Sequence, residues 1–201
     1  QRVRAEAKVR TLAYRDSLTG LHNRVAFNMA LEHAMQDTQG DRFGLAVMII
    51  DLDEFKEVND QFGHGTGDSL LKAIGRRISS EIDERDTVAR LGGDEFAVLV
   101  RGRAFAEEIQ DTADRILSAI SEPLAMGRRT LNSGGSIGLT FVPANAKNAA
   151  RILTYADRAL YSAKAAGRGC VRTYDADLHK QQVEQRNLER ALHDAVRNDE
   201  F

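Results

Sequence analysis

The sequence carries a single cysteine, Cys170, in 201 residues. That excludes an internal disulfide and points to a reducing, cytoplasmic compartment. No activating partner for a thiolate is evident beside it, so Cys170 reads as a small residue beginning a strand rather than as a nucleophile. An excess of either charge is also missing. The chain has 28 Lys and Arg against 30 Asp and Glu, a formal net charge of -2, which argues against a nucleic-acid binder working by charge alone. No apolar run approaches the ~18 residues needed to cross a bilayer, and the first residues lack the pattern of a secretion signal. The five histidines are scattered with no pair at metal-ligand spacing, which disfavours zinc. Internal repeats and low-complexity segments are absent as well. What is present, 42% hydrophobic and 29% charged residues, suits a globular domain with one sizeable core.

Periodicity predicts helices over about residues 24–35, 68–81 and 104–120, and another over 149–166 that Gly167 ends. Asn23 is a possible cap for the first of these. The continuous apolar run "LAVMIIDLD", residues 45–53, reads as a buried central strand. "EFKEVNDQFGHGTGD" follows as a short helix and a glycine-punctuated turn. "DTVARL" and "EFAVLV" form a hairpin around Gly92-Gly93-Asp94. A strand over "LNSGGSIGLTFV" is weakened at Gly134 and Gly135 by a bulge or a close backbone approach, and "CVRTYD" closes the sheet. Residues 1–13 and 177–201 carry thin apolar stripes among charges, the pattern of connecting helices. The globular domain is therefore expected over 14–176.

Chemistry concentrates at two points. Asp51 and Asp53 end the buried strand, while Asp94 and Glu95 sit at the hairpin tip. If those strands are sheet neighbours, the carboxylates converge and repel unless something positive lies between them. Oxygen ligands of this kind suit Mg²⁺, which takes one or two carboxylates and fills its shell with water and phosphate oxygens. Gly92 and Gly93 then serve the tight turn and leave room for a phosphate. Asn59 and Asp68 form a second pairing: a carboxylate accepts from the N1-H and N2-H donors of guanine, and an amide serves O6. Chemistry alone leaves equally open that Asp68 begins its helix and Asn59 caps a turn. Lys164 and Arg168, one helical turn apart, and Lys56 are ordinary surface cations by themselves. They gain weight only beside a phosphate site. His64, in the glycine turn, reads as a hydrogen-bonding residue rather than a general base.

Five ordered segments, "DSLTGLHNR", "DLDEFKEVNDQFGHGTGDSLL", "ARLGGDEFAVLV", "SIGLT" and "ADRALYSAKAAGR", together resemble the GGDEF domain, the diguanylate cyclase module of bacterial signalling. The resemblance implies an α+β fold with a central, mostly antiparallel sheet wrapped by helices, like the palm of nucleotide cyclases and polymerases. It implies condensation of two GTP into cyclic di-GMP and two pyrophosphates, across a homodimer of two facing domains. Carried over residue by residue, Asp51 and Asp94 would hold Mg²⁺ (or Mn²⁺), with the Leu52 carbonyl and Glu95 nearby. Asn59 and Asp68 would bind guanine. Lys164, Arg168 and Lys56 would hold phosphates, with Phe55, Gly92, Gly93 and His64 completing the candidate substrate-binding set. One departure stands out. Many members carry an inhibitory Arg-x-x-Asp motif before the glycines; here Asp86 fills the acidic position, but Asp83 replaces the arginine. The ends resemble a stalk from an upstream sensor and a linker into an EAL phosphodiesterase domain, so the chain is expected to be the middle piece of a sensor–GGDEF–EAL protein. The same nucleotide contacts would also serve a silent GTP-binding domain that regulates such a phosphodiesterase, or a purine cyclase of another specificity.

Overall fold

The computed structural model describes residues 13–37, 44–103, 105–126, 129–142 and 148–175; the two connecting helices expected at the ends lie outside this range. Among the described residues the elements run α1 (Arg24–Asp37), β1 (Gly44–Asp53), α2 (Phe55–Phe62), α3 (His64–Ser80), β2 (Thr87–Gly92) and β3 (Glu95–Arg103). They continue as α4 (Ala106–Ser121), β4 (Leu124–Met126), β5 (Arg129–Leu131), β6 (Gly134–Phe141), α5 (Ala149–Ala165) and β7 (Val171–Thr173). Five strands form one sheet in the order β2-β3-β1-β6-β7, and β4 and β5 pair separately. All pairings in the main sheet are antiparallel except β6 with β7. The α+β architecture with a mostly antiparallel sheet is thus the one expected.

The central strand β1 is apolar from Leu45 to Ile50 because it is covered on both faces, and its alternation sorts the core. Ala46, Met48, Ile50 and Leu52 pack with Leu70, Leu71 and Ile74 of α3 and with Ile109, Ile116 and Ile120 of α4. Leu45, Val47 and Ile49 pack on the other side with Phe27 and Leu31 of α1 and Ile152, Ala156 and Leu160 of α5. Continuing that alternation puts Asp51 and Asp53 on the α1–α5 face, just where the apolar run ends.

Gly138 brings α5 close. A Cβ there would overlap the Ala156 carbonyl oxygen and the backbone nitrogen of Leu160, so the helix rests directly on the β6 main chain. Gly135 also faces a near neighbour, with a Cβ position 3.1 Å from Ile120. The β1–β6 register runs unbroken from Ala46↔Phe141 to Asp53↔Gly134. There is no bulge at the paired glycines, and only Gly135 has a close neighbour; Gly134 is in ordinary contact with Asp53.

The expected glycine turn before residue 68 needs correcting. Only Gly63, with φ 81°, makes the break between helices; α3 already begins at His64. Gly65 and Gly67 lie inside the helix. Gly67 is there because a Cβ would overlap the Asn59 side-chain oxygen and crowd the Phe55 ring. Asp68 therefore stands within the helix and does not begin it. Asn23 does cap α1, accepting a hydrogen bond from the Ala26 amide at 3.0 Å.

Candidate active site

The hairpin between β2 and β3 turns through Gly92 and Gly93, whose φ values of 142° and 55° lie where side chains are strained. Leu91 is bulged out of the β2–β3 register. The largely buried Arg90 braces the turn. Its Nε and Nη2 donate to the Gly93 carbonyl at 2.9 and 2.6 Å, and its Nη1 reaches both Asp16 oxygens at 3.2 and 3.1 Å. Asp16 also accepts from the amide and hydroxyl of Thr19. Although burial opposes ionisation, these Thr19 bonds and Arg90 hold the Asp16 carboxyl below its ordinary range. The "DSLTG" segment thus fixes the tip from beneath.

The tip sits against β1. Asp51 and Glu95 are directly paired across the strands, and the Leu52 amide donates to the Asp94 carbonyl at 3.3 Å. On the α1–α5 face, Lys164 Nζ in the last turn of α5 lies 2.8 Å from Asp51 Oδ2. Burial pushes the Asp51 carboxyl above its usual range; Lys164 pulls it down, while Asp94 and Asp53 add repulsion that raises it again. Asp53 is committed elsewhere, accepting from the Ser136 hydroxyl at 2.9 Å and from the Gly169 amide at 3.1 Å. It ties the end of β1 to β6 and to the turn after α5.

The remaining candidates fall into separate groups. Asn59 and Phe55 on α2 meet α3 at Gly67, which puts Asp68 beside the contact. Lys56 and His64 are exposed. Arg168, with φ 65°, lines a cavity of about 490 Å³ together with Asp53, Glu54, Glu57, Phe62 and Leu131. That cavity lies between α2 and the β4–β5 hairpin, and it contains neither Asp51 nor the Asn59–Asp68 pair. Asp86, just before β2, spends both oxygens on main-chain amides: Oδ2 accepts from Asp83 at 3.0 Å and Oδ1 from Arg101 at 2.9 Å.

Sequence reasoning assigned no role to Arg24. Its Nε donates to the Leu91 carbonyl at 3.2 Å and its Nη2 lies 3.3 Å from Glu95 Oε2. The only signal for it was its place in "LHNR", directly after the cap. Arg90 and Asp16 likewise lie within "ARLGGDEFAVLV" and "DSLTGLHNR", where no local pattern marks them.

Among the described residues no three His, Cys, Asp or Glu side chains gather as a metal cage. Two carboxylates at a strand end, still repelling each other despite a lysine, instead fit a Mg²⁺ ion that completes its shell from water and phosphate.

Comparison with known proteins agrees with this architecture. The profile described as "Diguanylate cyclase, GGDEF domain" matches residues 13–170. The diguanylate cyclase TpbB of Pseudomonas aeruginosa (strain UCBPP-PA14) is 38% identical over 184 residues, covering 91% of this chain and 42% of its own length. The cyclic di-GMP phosphodiesterase NbdA of the same species (strain PAO1) is 37% identical over 197 residues, covering 98% of this chain and 25% of its own. The chain therefore spans less than half of either relative's length. Among solved structures, the GGDEF domain of TpbB from Pseudomonas aeruginosa superposes with a TM-score of 0.75 at 40% identity, covering 78% of this chain and 98% of that one. Every strand of the main sheet except β7, the braced hairpin and the helix bearing Lys164 lie within the span matched by the profile, and the chain belongs to the GGDEF domain family.

Proposed function

We propose that this domain, placed at residues 14–176, is a diguanylate cyclase that joins two GTP molecules into cyclic di-GMP. The observation that carries the reading is the meeting of Asp51, Lys164 and the Asp94–Glu95 tip at one open end of the sheet. Asp51 and Asp94 would hold Mg²⁺ or Mn²⁺, with the Leu52 carbonyl and Glu95 nearby; the ion would polarise the α-phosphate and assist the attacking oxygen. Lys164 and Arg168 take charge from the departing pyrophosphate, and Lys56 adds a further phosphate contact. Asn59 and Asp68 orient the guanine, with Phe55, His64, Gly92 and Gly93 around the bound nucleotide. The 3′-hydroxyl of one GTP attacks the α-phosphorus of the other, its proton passing to Asp94 or Glu95. The P–O bond to pyrophosphate breaks as the new phosphodiester forms. A second such step closes the ring. One domain presents one nucleotide, so the reaction takes place between two copies facing each other.

The test is to incubate the chain with GTP and Mg²⁺ across a range of protein concentrations. The expected result is two pyrophosphates per cyclic di-GMP, at a rate rising more steeply than protein concentration. A second reading has its own support: NbdA, similar over almost the whole chain, is named as a phosphodiesterase. In that reading the domain holds GTP and regulates an attached EAL domain, with a sensor upstream. Tight GTP binding without product, at concentrations where the protein dimerises, would favour it.

Two further results are expected. Asp68→Asn should lower the preference for GTP over ATP, as the ratio of kcat/KM values, by on the order of 10- to 100-fold, since the amide no longer accepts both guanine donors. An unchanged ratio would move base recognition elsewhere. Cyclic di-GMP added at the concentration of GTP should lower the initial rate by no more than about twofold, because Asp83 cannot grip a phosphate as an arginine fork does. Asp86 is in any case engaged by two backbone amides. Strong inhibition that disappears in Asp86→Ala would contradict this.

A further inference from the structure

We propose that Lys164 makes the site select a divalent cation and a triphosphate as a pair, by occupying Asp51 until a triphosphate draws it away. The inference rests on the GTP-binding reading above and concerns what that reading leaves open: why neither ligand should bind well without the other.

The ammonium of Lys164 sits 2.8 Å from Asp51 Oδ2, with the lysine side chain 37% exposed and the aspartate 14%. A divalent cation approaching Asp51 alone meets a positive charge on the oxygen it needs. It must either expel the lysine or share the carboxylate with it, and both weaken binding. A triphosphate changes the balance. It offers the lysine several anionic oxygens, and the compact head of Lys164 on its flexible four-carbon stem can follow them. Asp51 is then left beside Asp94 without a counter-charge, on the more buried side of the site, and a cation becomes favourable there. Each ligand thereby prepares the site for the other, and such coupling is reciprocal.

The neighbouring carboxylates do not share this role. Asp53 already accepts from Ser136 and Gly169. The Arg24–Glu95 pair has both side chains well exposed, at 56% and 42%, so water screens it and it restrains a cation less. Lys164 on Asp51 is the contact in which a charge exchange has the largest effect.

The experiment titrates the full chain with Mn²⁺ alone, followed by electron paramagnetic resonance, in wild type, Lys164→Met and Lys164→Arg. A second titration uses guanosine 5′-(α,β-methylene)triphosphate, which cannot be cleaved at the reacting bond, with and without Mn²⁺. Lys164→Met should bind Mn²⁺ alone about 10-fold more tightly than wild type, while Lys164→Arg, which keeps the charge, should stay close to wild type. Mn²⁺ should raise wild-type affinity for the analogue about 10-fold or more, and Lys164→Met should lose most of that gain. Circular dichroism of each variant shows that the fold is retained. Equal Mn²⁺ affinities for wild type and Lys164→Met overturn the proposal even if the analogue binds tightly. A gain in Lys164→Met with no analogue binding by any form overturns the guanosine triphosphate reading instead.

Discussion

Asp94→Ala should lower cyclic di-GMP formation by about 10³-fold or more, the scale expected when a group aimed at charge development in the transition state is removed. The fold should survive, for a reason specific to this hairpin. The bond holding the tip to β1 runs from the Leu52 amide to the main-chain carbonyl of Asp94, and alanine keeps that carbonyl. The Asp94 side chain also repels Asp51, so its removal should leave the thermal midpoint unchanged or slightly raised. Stability and turnover should therefore move apart, or even in opposite directions. Turnover within about threefold of wild type would remove Asp94 from the proposed metal site.

Gly138→Ala should produce the largest loss of stability, about 3 kcal/mol or more by urea denaturation. The added methyl meets main-chain atoms of Ala156 and Leu160, which cannot rotate away as a side chain would. Relief requires lifting α5 from β6, and α5 carries Lys164. Any protein that folds should consequently show a weakened Lys164–Asp51 contact. Gly134→Ala, on the same strand, is the control: its Cβ would lie 3.5 Å from Asp53 Oδ2, an ordinary contact, and should cost less than about 1 kcal/mol. Equal losses at both positions would point to a general effect of replacing strand glycines.

Much of the domain could be read from the sequence because one strand announces its environment. The run from Leu45 to Ile50 is apolar at both parities, so both faces had to be covered, and the following Asp51 and Asp53 marked a site. The β2–β3 hairpin followed from two short apolar runs around a Gly-Gly turn. The β4–β5 hairpin was not legible. Three-residue strands show no period, and Leu124 and Leu131 alone do not reveal a partner. The start of α3 was misplaced because glycine has two uses that look alike in sequence. Gly63 is needed for its positive φ, whereas Gly67 sits mid-helix to let Asn59 and Phe55 approach, despite the helix cost of about 1 kcal/mol that glycine carries.

The site shows the same division. Carboxylates at the ends of adjacent strands could be expected to meet, because sequential elements are commonly neighbours. The cations that answer them could not be placed this way. Arg24 and Lys164 come from α1 and α5, and their partners were fixed only by how those helices settle on the sheet. Local pattern has no access to such long-range pairings, even though "LHNR" and "YSAKAAGR" contained the residues.

The cross-strand pairing of Asp51 with Glu95 has a consequence for how this protein can fail. A slip of β3 by one residue along β1 would send Glu95 through the sheet into the layer of Leu70 and Ile74, and would turn Phe96 and Val98 out of it. Such a species would bury a carboxylate and lose the packing of the Phe96 ring together. Correct assembly and a competent site thus arise in a single all-or-none event. In a preparation of this protein, low specific activity should reflect fewer working molecules rather than a uniform population of slow ones.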